Sequence, residues 1–166
     1  VAPELEFYLC EQNLDPDLPL KTPVGKSGRR ESGSRVFGID AVNEFDELTD
    51  QIYDYCELME IGVDTLVHEA GPSQIEINLN HGDPLALADQ AFMFKRAVRQ
   101  VALKHGIHAT FMAKPYQGQP GSSMHIHQNL FAKNDNNNLF CDVDGNNTKE
   151  FLYFIGGLQT YLPDAM

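Results

Sequence analysis

Within the run GSSMHIHQNL (121–130), His125 and His127 stand one residue apart in an otherwise apolar segment. Side chains of a strand alternate between its faces, so in a strand both imidazoles leave the same side. Carboxylates occur in comparable places: Glu4 and Glu6 in ELEFYL, Glu69 at the end of TLVHE, and Glu76 in QIEINL. Taken singly, a strand glutamate is more often a solvated face residue, and a strand histidine a hydrogen-bonded filler. Together they lie in apolar segments, where burying an unpaired polar group costs about 2–7 kcal/mol. A divalent cation is the simplest compensation for several carboxylates converging on one face. Four carboxylates with one or two imidazoles and no thiolate form a hard, oxygen-rich donor set, which favours Mg2+ or Mn2+ over structural Zn2+. Carboxylate-held Mg2+ most often organises the phosphates of a nucleotide, so the chemistry indicated is phosphoryl transfer. A cupin-type iron site also uses His-x-His, but it expects a nearby glutamate and a later histidine. Here the first glutamate after His127 is Glu150 and no histidine follows.

These groups need strands to hold them. ELEFYL alternates and reads as a strand, as does QIEINL, joined through Ala-Gly-Pro-Ser to a strand ending in TLVHE. IHATFMAKP and MHIHQNLF read as two more. The spacing Phe45, Leu48, Ile52, Tyr55, Met59 predicts an amphipathic helix ended by Gly62. Asp83-Pro84 opens a second helix running to about His105 and stopped by Gly106. Lys149 to Leu162 forms a third, and CDVDGNN carries a hairpin-type Asp-Gly. The Pro/Gly-rich stretch from Asp15 to Arg35 holds five of the twelve basic residues. It reads as a long solvated loop, or else as an anion or subunit contact. Strands joined by helices and long loops, several with one polar face, indicate an α+β fold with an antiparallel sheet and helices on one face.

Composition narrows the partners. The formal charge of −12, from 24 acids against 12 bases, argues against nucleic-acid binding, which needs a basic face for phosphates. It suits divalent metals or amine substrates. No apolar run approaches the roughly 20 residues of a membrane span, so a cytoplasmic address is the expectation and a membrane partner is not. Cys10, Cys56 and Cys141 are too scattered for a zinc cluster and read as reduced thiols.

In order, APELEFYL, HEAGPSQIEIN, FMAKP and GSSMHIHQNL resemble the signatures of the glutamine synthetase family across essentially all 166 residues. PVGKSGRRESG, AVNEFDELTDQIYDYCE and HGDPLALADQ resemble most the branch that makes γ-glutamylpolyamines. The resemblance implies an ATP-dependent ligase: the γ-carboxylate of glutamate takes the terminal phosphate of ATP, and an amine, putrescine or another polyamine, displaces phosphate. It implies two Mg2+ or Mn2+ sites, one held by Glu6, Glu69 and Glu76, the other by Glu4, His125 and a glutamate outside the chain. His127 would face the nucleotide phosphates, with Asn129 at a position of nucleotide contact. Gly121 would let glutamate approach the backbone closely. No catalytic residue beyond these ligands is expected within the chain. The alternatives are an ammonia-using glutamine synthetase and a non-catalytic relative of the same fold. Pro120 stands where ammonia-using relatives commonly have Asn, and Glu69 and Glu76 are seven apart rather than eight; both fit the polyamine branch better. The resemblance further implies that residues 1–166 are the N-terminal part of a catalytic domain. A small N-terminal domain and an arginine-rich C-terminal part would lie outside, the parent would form stacked homo-oligomeric rings, and this chain alone would have little activity.

Overall fold

A computed structural model describes residues 1–33 and 35–164. They fall into two units, Val1–Ile126 and His127–Met166.

The first unit is built around β1 (Ala2–Glu11). The same sheet holds β2 (Val63–His68), β3 (Gln74–Leu79), β4 (Ile107–Thr110) and β5 (Met124–His127), in the order β2-β3-β1-β4 with β5 also pairing β1. β1 runs antiparallel to β3, with Glu6 opposite Glu76 and Tyr8 opposite Gln74. Its far half pairs antiparallel with β4, Tyr8 opposite Thr110. At the entry to β5, the Glu6 amide donates to the Ser123 carbonyl at 3.2 Å.

Period two then divides β1 into two functions. Leu5, Phe7 and Leu9 join Ile75, Ile77 and Leu79 of β3 in the buried core. The helices that cover them are α2 (Asp46–Leu58), through Leu48, Ile52 and Cys56, and α3 (Pro84–Lys104), through Leu87, Phe94, Val98 and Val101. Glu4, Glu6 and Tyr8 are left on the other face, beside Gln74, Glu76 and Asn78. The core thus fixes the register of the polar face, because a slip of one residue would exchange the two.

The expected helices are present. The first begins at Asp46, preceded by a short α1 (Ile39–Val42) and a 3-10 turn (Asn43–Phe45), both too short to show a periodicity. α3 ends as expected, with His105 as its cap and Gly106 at φ +73°. Two strands are shorter than read: β4 stops at Thr110 and β5 at His127. The Asp83 carboxylate caps α3, accepting from the amides of Leu85 at 3.0 Å and Ala86 at 3.2 Å. Asp83→Ala is expected to lower stability by about 1 kcal/mol, read as a lower urea midpoint at unchanged slope.

The second unit contains bridges Phe131–Asn138 and Cys141–Asn147, then α4 (Lys149–Tyr161). Thr148 caps α4 by accepting from the Phe151 amide, and Phe140 packs against Phe151 and Phe154. Gly145 takes φ +82° in the expected Asp-Gly turn. All three cysteines are free thiols. Among the described residues no helix is long and apolar enough to cross a membrane.

Candidate metal centre

The antiparallel register of β1 and β3 sets Glu6 and Glu76 directly opposite one another, an arrangement of like charges that destabilises a sheet unless something compensates. β5 brings His125 to the same place. Its Nδ1 lies 3.1 Å from Glu4 Oε2 and 3.9 Å from Glu6 Oε1. Glu4, Glu76 and His125 each offer one ligand atom, all within 4.8 Å of one another. Glu76 is buried, Glu4 partly so, and His125 exposed.

Burial raises the pKa of Glu76, and the charges of Glu4, Glu69 and Glu6 raise it further. Glu69, just past the end of β2, is therefore electrostatically part of the cluster. Its amide donates to the Gln74 carbonyl at 2.9 Å, and its Oε2 accepts from the Ala70 amide at 3.3 Å. Asn78 Oδ1, on the same face, is buried without a hydrogen-bond partner. A concentration of carboxylates, one imidazole and an orphaned carbonyl oxygen, with no thiolate, fits a hard divalent cation.

His127 and Asn129 belong to the second unit and are exposed there. Gly121 sits in the segment leading to β5. A Cβ at this position would come within 2.8 Å of the Ala113 carbonyl oxygen, so the chain's own packing already requires glycine there.

Several supporting roles carry no signal in the sequence. Gln74 is fully buried and donates from its amide nitrogen to Glu6 Oε2 at 3.0 Å and to the Gly121 carbonyl at 2.9 Å. The Tyr8 hydroxyl donates to the Pro120 carbonyl at 2.7 Å. Burial, with Glu6 and Glu69 nearby, pushes that phenol up to about 12, so it remains a donor. Behind Glu69, the buried His68 has Nδ1 2.8 Å from the Glu69 carbonyl and Nε2 2.9 Å from Glu31 Oε2. Glu31 comes from the basic loop, which is thereby tied to the strand end that presents Glu69.

The family model for the glutamine synthetase catalytic domain matches residues 1–166. Gamma-glutamylputrescine synthetase of Escherichia coli is 38% identical over 168 residues, covering all of this chain and 35% of that protein. Glutamine synthetase of Pyrococcus horikoshii is 35% identical, covering 95% of this chain and 33% of its own length. The chain spans about a third of the length of these relatives. Among solved structures, Plasmodium falciparum glutamine synthetase superposes with a TM-score of 0.76 at 25% identity, over 97% of this chain and 36% of that one.

Proposed function

Since the chain belongs to the glutamine synthetase family, through its catalytic domain, we propose that it forms part of an ATP-dependent ligase joining the γ-carboxylate of glutamate to an amine, with putrescine or another polyamine as that amine. The observation that carries this reading is the meeting of Glu4, Glu76 and His125 on one sheet face, in a chain 38% identical to gamma-glutamylputrescine synthetase. The chemistry is proposed for a polypeptide of the relatives' full length, in which residues 1–166 are the N-terminal part of the catalytic domain and the protein assembles as a homo-oligomer.

In this reading Glu4 and His125 hold one divalent ion, and Glu6, Glu69 and Glu76 hold another. Mg2+ or Mn2+ bound there supplies positive charge where a carboxylate and a phosphoryl group, both anionic, must meet. The residues contribute fixed geometry. Glu4, Glu6 and Glu76 ride on paired strands, and Gly121 offers its backbone to glutamate. His127 and Asn129 contact the nucleotide. The net acidity of the chain attracts a cationic amine, an effect screened beyond about 8–10 Å at physiological salt.

A second reading, ammonia as the amine, is favoured by the 35% identity to an archaeal glutamine synthetase. One experiment separates the two: phosphate release by the full-length protein with glutamate and ATP, putrescine compared with ammonia. Putrescine-dependent turnover far above that with ammonia is expected. A preference for ammonia would remove the polyamine assignment, and no turnover with any amine would remove the ligase assignment.

A further inference from the structure

A glutamine side chain has two amide N–H donors and one carbonyl acceptor, and Gln74 uses all of them inside the protein. Its nitrogen donates to Glu6 Oε2 and to the Gly121 carbonyl, while its Oε1 accepts the Gly71 amide at 2.9 Å. A flipped amide would set its oxygen against two other oxygens, so the orientation is determined.

Glu6 Oε2 also accepts the Ser123 amide at 3.1 Å. That oxygen therefore has two internal donors, and Oε1 is the one nearer His125, 3.9 Å from its Nδ1. The same amide that holds Glu6 Oε2 also anchors the backbone at Gly121. Tyr8, opposite Gln74 across the strands, anchors the preceding residue.

We propose that Gln74 is a positioning residue that locks Glu6 and the 120–123 segment into one geometry, so that the metal carboxylate and the glutamate-binding backbone are set together. The proposal rests on the ligase reading for the roles of Glu6 and Gly121. Neither neighbouring residue type serves equally: Asn is one methylene too short to span both acceptors, and Glu would oppose the Glu6 carboxylate with another.

The test uses Gln74→Met, which keeps length and volume but removes both donors, and Gln74→Asn, a milder change should the first not fold. In either variant Mn2+ affinity is expected to fall about 10–100-fold, as for other partners that orient metal ligands. The Ser123 amide of the metal-free protein is expected to exchange with solvent faster, and the KM for glutamate to rise in the full-length enzyme. Tyr8→Phe, which releases only Pro120, is expected to raise that KM while leaving Mn2+ affinity unchanged. A variant that melts lower yet keeps normal Mn2+ affinity and Ser123 exchange would overturn the proposal and leave Gln74 a packing residue. The first two measurements need no turnover. Absence of ligase activity in the parent would thus count against the ligase reading, while Mn2+ affinity and Ser123 exchange still decide the role of Gln74.

Discussion

Replacing Glu76 by Gln is expected to make the metal-free protein more stable and, on the proposed reading of Glu76 as a metal ligand, to abolish the stabilisation by Mn2+ that this reading predicts. The substitution removes a buried negative charge that directly opposes Glu6 and is repelled by Glu4 and Glu69. Relief of one cross-strand like-charge pair is worth up to about 1 kcal/mol, or about 2–4 °C in a domain of this size. The effect has a definite pH dependence. The Glu76 carboxyl titrates above its ordinary 4.5 because burial and three neighbouring acids disfavour its charged form. The folded protein therefore holds this proton more tightly than the unfolded chain does. Its contribution to stability is complete below 4.5 and disappears as the pH rises through the raised value. The advantage of Glu76→Gln should accordingly be small in the ordinary carboxylate range and largest at neutral pH. Thermal melts at the two pH values, with and without Mn2+, check both parts. A metal-free variant less stable than wild type at neutral pH would contradict the account.

Gly71→Ala is expected to be the most destabilising single methyl addition near the site. The new Cβ would lie 1.9 Å from the Tyr8 hydroxyl oxygen, 2.5 Å from Cζ and 2.6 Å from Cε1. Tyr8 is wholly buried, and its ring packs edge-on against Tyr116 at 5.0 Å, so it has little room to retreat. Overpacking of this kind costs about 1–3 kcal/mol and sometimes more. Tyr8→Phe should not rescue it, because the ring carbons still collide, whereas Tyr8→Ala in the same background should recover part of the loss. Urea unfolding of the four proteins measures this. A Gly71→Ala variant as stable as wild type would show that the turn shifts freely.

The residues of the polar face were legible because period two is a local signal. Glu4 and Glu6 alternate with Leu5 and Phe7, Glu76 with Ile75 and Ile77, and burial of the apolar set settles which side the acids take. The helices were legible for the same reason at period 3.6, through Leu48 and Ile52, and through Phe94, Val98 and Val101. What holds the acids in place was not. Gln74 reads as one more polar face residue, and its partners are 68 and 47 positions away. Glu31 lies in a basic, Gly-rich stretch with nothing nearby to mark it, yet it meets the buried His68 across 37 positions. Strand ends are not legible where the chain stays apolar but leaves the ladder, as at Phe111 and Met112 after β4.

Apart from its last residue, Glu11, whose amide donates to the Lys21 carbonyl at 2.8 Å, β1 pairs with segments made much later. Its first partner strand arrives about seventy residues on, β4 about a hundred, and the Ser123 amide meets Glu6 across 117 positions. Contacts so distant along the chain close slowly, since the entropy of loop closure is spent before they form. While the polypeptide is being synthesised, the apolar edge Leu5, Phe7, Leu9 must wait, unpaired, for most of the unit to leave the ribosome. The segment that carries Glu4 and Glu6 thus keeps its apolar side uncovered for longer than segments with nearby partners, the condition under which unfinished domains aggregate or are held by chaperones.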